Sequence, residues 1–274
     1  MTGLVGCTKM GALNTVLTKD DHTAKIVSDI SYGPHNRQEL DVYVPNARSA
    51  DLPVVVFIYG GSWNSGRKQD YSFAGYALNL EEFIAVIPDY RLVPEVVYPD
   101  FLHDLADALN WTYSNIAEYG GNPENIFVLG HSAGAYNAMM LGLASEQFTA
   151  DRKPVPVRGI AGLAGPYKFI PLASNVTKAA FGHLEDLTET QPAEYLHGES
   201  PSLLFITGGE DRFVLPKHSQ YLHQLATNAG ADSQLINYPD IGHIKLLLSL
   251  SKPFRKQAPT LKDSVEFFRR NITQ

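Results

Sequence analysis

A serine flanked by small residues stands near the middle of the sequence. Gly130-His131-Ser132-Ala133-Gly134 is a G-x-S-x-G pentapeptide that directly follows a short apolar segment and precedes an alanine-rich one. A strand that turns sharply into a helix at such a sequence needs small flanking residues, and the turn lifts the serine hydroxyl clear of the sheet. Ser132 is therefore the candidate nucleophile of an acyl transfer. A glycine-rich turn with an idle serine is the alternative.

A nucleophilic serine needs a general base, and the base needs an acid that orients it. His243 follows the last predicted core strand, and Asp211 follows the core strand before it. The order serine, aspartate, histidine is the one that hydrolases of this strand-and-helix type use. Glu210 remains an alternative acid, whereas Asp240 lies too close in sequence to His243 to brace its ring.

A glycine pair marks a candidate site for the developing oxyanion. Gly60-Gly61 follows a buried strand, and glycine lets backbone N–H groups approach a carbonyl oxygen because no side chain stands in the way. We predict an oxyanion hole formed by the N–H groups of Gly61, Ser62 and Ala133. A helix that opens at Ala133 would add partial positive charge there. A plain glycine loop is the alternative.

Aromatic side chains are the candidates for contact with substrate. Trp63, Tyr136, Tyr167 and Phe213 could line a pocket, or each could belong to the core. Their bulk favours short acyl chains. His131 precedes the nucleophile and is predicted to support the turn rather than to act as the base.

Alternating strands and helices are predicted to position these groups. The apolar, β-branched segments that read as buried strands cover residues 54–59, 83–87, 126–129, 157–163, 203–207 and 234–238. The helical patterns cover residues 73–80, 99–119, 133–144, 216–228 and 261–271. Two earlier strands, 24–32 and 38–44, predict a hairpin at a sheet edge. The fold class is α/β, with a mostly parallel sheet covered by helices on both faces.

The domain organisation predicted is an amino-terminal arm over residues 1–23 and one α/β domain over residues 24–274. Residues 166–200 interrupt the alternation of strands and helices. An insertion there would lie over the carboxyl ends of the strands, where ligands bind in such folds. We expect a small lid, and a surface loop is the alternative.

The composition excludes several classes. The formal net charge is −7 without a block of Lys and Arg, which argues against nucleic acid as a partner. No run of about 18 apolar residues predicts a transmembrane helix. Cys7 is the single cysteine, so neither an intrachain disulfide nor a thiolate metal cluster can form.

The segment Leu4-Val5-Gly6-Cys7 resembles the lipobox of bacterial lipoproteins, although only six residues precede Cys7. Either the sequence begins partway through a longer precursor, which would place the protein in the periplasm as a lipoprotein, or the match is a coincidence. In the second case we expect a soluble, cytoplasmic protein.

With these residues in hand, the chain resembles the carboxylesterase and hormone-sensitive-lipase-like branch of the α/β hydrolases. Prenylcysteine methylesterases and kynurenine formamidases are similar in the same places. The stretches that carry the resemblance are Phe57–Trp63, Pro88–Leu92, Asn110–Trp111, Tyr119–Pro123 and His131–Gly134. The first corresponds to an H-G-G-G segment, with Tyr59 in place of the histidine and Ser62 in place of the third glycine. The resemblance also implies that Asp89 and Arg91 form structural ion pairs near the oxyanion loop.

The activity expected is hydrolysis of small, short-acyl carboxylic esters through an acyl-enzyme intermediate, with no metal or organic cofactor. An amidase, an arylformamidase or a peptidase would use the same triad of Ser132, Asp211 and His243. A protein of the same fold that only binds a small molecule is a further alternative. Monomer and homodimer are both open.

Overall fold

One eight-stranded sheet organises the computed structural model, which describes residues 17, 24–46, 51–149 and 154–273. Its strands are β1 Ala24–Ser31, β2 Glu39–Pro45, β3 Leu52–Ile58, β4 Ile84–Pro88, β5 Gly121–His131, β6 Val157–Leu163, β7 Ser202–Gly208 and β8 Ser233–Tyr238. They lie side by side in the order β1-β2-β4-β3-β5-β6-β7-β8. Strand β2 runs antiparallel to β1 and β4, and the pairs from β4 to β8 are parallel. All the predicted strands are present, and the predicted hairpin lies at one edge.

Helices flank this sheet. They are α1 Ser72–Asn79, α2 Asp100–Asn115, α3 Ala133–Leu143, α4 Asn175–Phe181, α5 Lys217–Asn228, α6 His243–Leu248 and α7 Thr260–Arg270. Helix α1 packs against α7, and α2 packs against α3. The α/β class predicted from the sequence is confirmed. Among the described residues, no helix has the length and the apolar character needed to cross a bilayer.

The central strands explain why this sheet is stable between two layers. Val54 to Ile58 in β3 are at most 1% exposed, and Ile126 to Leu129 in β5 are fully buried. Strands covered on both faces are continuously apolar rather than alternating, because neither face meets water. This rigid centre holds the loops that follow β3 and β5.

The main differences from the sequence prediction concern helices. The pattern over residues 99–119 forms α2 only to Asn115, and Ile116–Tyr119 continues as a 3₁₀ turn. Helices α4 and α6 were not predicted. With seven and six residues, they are too short to display a helical period.

The segment over residues 166–200 contains α4 and packs against the rest of the chain. The Tyr98 N–H donates to the Ala180 carbonyl at 3.0 Å, and the Tyr136 hydroxyl donates to the Thr190 carbonyl at 2.8 Å. The Phe181 ring lies 5.0 Å from Trp63, edge to face. The predicted arm and Leu4-Val5-Gly6-Cys7 lie outside the described residues, apart from Leu17 in the arm.

The ends of four strands place the predicted functional loops together. Strands β3, β5, β7 and β8 belong to the parallel part of the sheet, so their carboxyl ends meet at one edge. The glycine loop follows β3, the serine turn follows β5, and Asp211 and His243 follow β7 and β8. Ligand sites of open α/β sheets lie at this edge.

Candidate active site

Ser132 occupies a strained turn between β5 and α3. Its φ is +56° and its ψ is −125°, a region that residues other than glycine rarely adopt and that often marks functional sites. The Ser132 N–H donates to the Leu163 carbonyl at 2.8 Å, and its carbonyl accepts from the Ala135 N–H at 2.9 Å. Its side chain remains partly exposed. The sharp turn expected of a G-x-S-x-G sequence is therefore present.

The backbone of this turn touches the end of β3. A Cβ atom added to Gly134 would stand 2.1 Å from the Ile58 carbonyl oxygen and 2.4 Å from that of Tyr59. A Cβ atom added to Gly60 would stand 2.9 Å from the Cβ atom of Ser132. No side chain fits at either position, and the glycine loop therefore lies directly against the serine.

Asp211 and His243 form a buried hydrogen-bonded pair. The Nδ1 atom of His243 lies 2.7 Å from Oδ2 of Asp211, and the two side chains are 8% and 0% exposed. The other carboxylate oxygen, Oδ1, accepts the N–H groups of Phe213 and Val214, each at 2.9 Å. Since a carboxylate can only accept, Nδ1 carries the proton and Nε2 is left without one in the neutral ring.

The rival acids are not placed to orient His243. Glu210 and Asp240 are both exposed, and neither is hydrogen-bonded to the imidazole among the described residues. Of the three carboxylates considered from the sequence, the geometry brings only Asp211 to His243.

Ser132 and His243 are not hydrogen-bonded to each other in this structure. No hydrogen bond within the described part of the chain joins the Ser132 hydroxyl to the imidazole. His131, which precedes Ser132 in the sequence, has its ring 4.6 Å from the His243 ring, centroid to centroid. Hydrogen bonds between a nucleophile and its base are often long or misaligned before substrate binds.

The tautomer of His131 follows from its hydrogen bond to the His243 carbonyl oxygen. Its Nε2 atom lies 3.3 Å from the His243 carbonyl oxygen, which can only accept, so Nε2 carries the proton. Burial lowers the pKa of His131 well below its usual range, and His243 lowers it further. A neutral His131 therefore contacts the candidate base. The contact with His243 was not foreseen, because the two residues are 112 positions apart.

The glycine loop after β3 presents unpaired donors. Gly61, Ser62 and Trp63 have φ values of +113°, +54° and +57°, and the Gly61 carbonyl accepts the N–H groups of Asn64 and Ser65. Within the described residues, the N–H groups of Gly61, Ser62 and Ala133 donate no hydrogen bond. These three donors are available to a ligand beside Ser132.

Tyr59 anchors that loop through its hydroxyl group and its ring. Its hydroxyl donates to Oδ1 of Asp89 at 2.6 Å and accepts from Arg37 at 2.9 Å. Its ring stacks on Tyr71 and Tyr90, with centroids 5.0 and 4.9 Å away. Burial raises the pKa of Tyr59, which keeps the phenol protonated as a donor. The phenol thus holds the position at which an H-G-G-G segment has its histidine.

The two charged residues of the Pro88–Leu92 stretch are structural, as the resemblance implied. Asp89 contacts Arg37 at 3.6 Å and accepts the Lys68 N–H at 2.7 Å. Arg91 pairs with Asp104, with Nη2 2.7 Å from Oδ1. Arg37 was missed by sequence reasoning. It lies in the β1–β2 turn, and nothing in its spacing signals a contact with the loop after β3.

The predicted substrate contacts separate into two groups. Phe213 is 82% exposed, whereas Trp63 is 3% exposed and Tyr136 and Tyr167 are fully buried. The Trp63 indole N–H donates to Oδ1 of Asn137 at 2.9 Å. In this conformation the last three pack in the core, and only Phe213 presents its ring to solvent.

Known proteins share this sequence and this fold. The BD-FAE family model matches residues 40–225. The probable isoprenylcysteine alpha-carbonyl methylesterase ICMEL2 of Arabidopsis thaliana is 36% identical over 252 residues, covering 82% of this chain and 59% of that protein. Esterase LipQ of Mycobacterium tuberculosis is 27% identical over 255 residues, with 84% and 59% covered. The structure of esterase B from Lactobacillus rhamnosis superposes with a TM-score of 0.83 at 18% identity, over 96% of this chain and 92% of that one.

The extent of these matches limits what they establish. The chain spans 51% and 59% of the length of two of its plant relatives. At 18% identity, the match to esterase B concerns the fold. The family model, in contrast, covers well over half of the chain, from β2 to α5. This chain therefore belongs to the BD-FAE family and has the α/β-hydrolase fold.

Proposed function

We propose that this protein is a carboxylesterase that hydrolyses small esters through an acyl-enzyme intermediate, with Ser132, His243 and Asp211 as its triad. One observation supports this function above the others. A buried imidazole, hydrogen-bonded at 2.7 Å to a buried carboxylate, packs against His131, the residue that precedes the serine of a strained turn. Relatives that are named as methylesterases and esterases are consistent with it.

The first step forms the acyl-enzyme. Nε2 of His243 takes the proton of the Ser132 hydroxyl as the serine oxygen bonds to the ester carbonyl carbon. The electron pair of the carbonyl bond moves to its oxygen, and Asp211 stabilises the imidazolium that forms. The Ser132 hydroxyl must first turn toward His243, since no hydrogen bond joins the two side chains in this structure.

We assign three free backbone N–H groups as hydrogen-bond donors to the oxyanion. The N–H groups of Gly61, Ser62 and Ala133 donate no hydrogen bond among the described residues, and one oxyanion donor is typically worth about 2.7–4 kcal/mol of activation free energy. Collapse of the intermediate breaks the bond to the alcohol oxygen, which takes the proton from His243. Water then attacks the acyl group in the same way, releasing the acid and restoring Ser132.

The aromatic rings packed around Trp63 favour a substrate with a short acyl group. Trp63 lies beside the donor loop and packs edge to face against Tyr136 and Phe181, at 5.4 and 5.0 Å. This closed packing leaves little room for a long chain. We assign the segment over residues 166–200, which carries Phe181, as the roof of the acyl site within a single domain over residues 24–274.

A fluorophosphonate probe tests the function directly. Such a probe phosphonylates an activated serine, so we expect one label per chain, located on Ser132 by peptide mass spectrometry. Labelling should be slower while p-nitrophenyl butyrate is present in excess, because the substrate competes with the probe for Ser132. A folded protein that stays unlabelled and turns over no ester would be a binding protein, which contradicts the proposal. Rates on a matched ester and amide separate an esterase from an amidase with the same triad.

The Tyr59 anchor yields a further prediction. Tyr59→Phe keeps both ring stacks but removes the hydrogen bond to buried Asp89. Loss of such a bond costs about 1–3 kcal/mol locally, and it loosens the loop that carries the oxyanion donors. We expect kcat for p-nitrophenyl acetate to fall about tenfold with little change in KM. A small shift of the oxyanion donors weakens their hydrogen bonds to the transition state more than it weakens substrate binding.

A matched control separates this effect from the loss of any phenol. Tyr113 is an exposed tyrosine on α2, whose hydroxyl lies 3.2 Å from Glu124. Tyr113→Phe should leave kcat unchanged. Equal kcat values for the two variants would show that the anchor has no part in positioning the loop.

A further inference from the structure

An aromatic side chain close to the candidate base is exposed to solvent. Phe213 is 82% exposed, the highest value among the large apolar side chains that the structure describes. Leu215, two residues after Phe213, and Ile244, the residue after His243, are also exposed, at 44% and 45%. Covering an exposed apolar group with another apolar group lowers the free energy, because less apolar surface meets water. Adjacent exposed apolar groups often mark a binding site.

We propose that Phe213 and Ile244 form an open apolar subsite for the alcohol group of the ester substrate. This inference rests on the proposed esterase function and specifies its substrate class. The substrates are esters in which a small acyl group is joined to an aromatic or bulky aliphatic alcohol.

The position of Phe213 relative to the candidate base supports the assignment. Its ring centroid lies 5.7 Å from that of His243, with the planes inclined by 44°. Its backbone N–H donates to Asp211 at 2.9 Å, which holds the main chain at Phe213 beside the Asp211–His243 pair. Ile244 follows His243 in the first turn of α6.

The chemistry of the acyl transfer decides which part of the substrate lies there. The alcohol oxygen takes its proton from Nε2 of His243, so it must lie within hydrogen-bond reach of that atom. The carbonyl oxygen points the other way, toward the N–H groups of Gly61 and Ser62. The carbon skeleton of the alcohol therefore extends past the imidazole, where Phe213 and Ile244 are exposed.

The two sides of the site differ in a way that matches this orientation. On the side of the donor loop, Trp63 is 3% exposed and enclosed by other rings. On the side of His243, the apolar groups are open to solvent. An open apolar surface accepts groups of different sizes, whereas an enclosed one limits them. The alcohol group thus contributes most of the apolar contact, and the acyl group contributes little.

Two acetate esters with alcohols of similar acidity test this subsite. The ratio of kcat/KM for benzyl acetate to that for ethyl acetate is measured by acid release in wild type and in Phe213→Ala. Removal of one apolar contact to a substrate group is worth roughly tenfold or more in kcat/KM. We expect the ratio to fall about tenfold in Phe213→Ala, mainly through KM for benzyl acetate, and to be largely kept in Phe213→Leu. Tyr113→Ala removes an exposed ring on α2 and should leave the ratio unchanged.

Each other outcome counts against the subsite. An unchanged ratio in Phe213→Ala, or an equal loss for both esters, would show that Phe213 only supports the triad. A similar fall of the ratio in Tyr113→Ala would show that the effect is not specific to Phe213. Wild-type protein that hydrolyses neither ester and takes no fluorophosphonate label would overturn the esterase function, and the subsite with it. Far-ultraviolet circular dichroism confirms that each variant is folded.

Discussion

Replacement of Ser132 by alanine is expected to lower kcat/KM for p-nitrophenyl acetate by about 10⁴-fold or more. The variant removes the oxygen that forms the acyl bond, and no other hydroxyl of the turn can replace it. Alanine differs from serine by one atom, so the φ of +56° and the bond to the Leu163 carbonyl can be kept. Initial rates and thermal unfolding measured on the same preparation separate lost chemistry from lost fold.

The control for this variant is another serine. Ser114 is exposed on α2, and Ser114→Ala should hydrolyse the ester at the wild-type rate. If folded Ser132→Ala kept more than a few per cent of wild-type activity, Ser132 would not be the nucleophile. The turn would then be structural only.

Asp211→Asn is the second substitution with a very large expected effect. Oδ1 of Asp211 accepts two backbone N–H groups, so an asparagine keeps its oxygen there and turns its NH₂ group toward His243. Nδ1 must then accept, which moves the ring proton to Nε2. An imidazole protonated at Nε2 cannot take the proton of Ser132, and we expect kcat to fall by about 10⁴-fold. Steady-state rates with p-nitrophenyl acetate measure this loss.

Two exposed carboxylates provide the comparison for Asp211. Glu210→Gln and Asp240→Asn change the charge at neighbouring positions, and both should stay within about threefold of wild type, because surface charges contribute little. If Glu210→Gln matched the loss in Asp211→Asn, the assignment of the acid would be wrong. A modest loss in Asp211→Asn would mean that the buried pair does not orient the base.

The sequence was sufficient to predict the sheet, the serine turn and the loops that carry Ser132, Asp211 and His243. Buried parallel strands are continuous apolar segments, and their carboxyl ends meet at one edge, which brings these three loops to the same edge of the sheet. The choice between Asp211 and Glu210 needed coordinates, because adjacent residues in one loop differ only in the direction of their side chains.

Contacts between distant side chains could not be predicted. Arg37 reaches Tyr59 over 22 residues, and His131 reaches His243 over 112. Neither pair leaves a periodic signal, since periodicity reflects burial of a face and not the identity of a partner. The aromatic residues show the same limit. Trp63 and Phe213 look equally suited to contact substrate in the sequence, yet one is enclosed and the other is open.

The contact at Gly60 and Gly134 has a practical consequence for engineering. Because two segments of the main chain meet there without space for a methyl group, the serine turn and the glycine loop are held as one unit. Libraries meant to broaden substrate range should keep both glycines fixed and diversify the rim around Phe213 and Ile244 instead. Variation at the glycines would mostly yield inactive clones, whereas the rim can be altered without disturbing that unit.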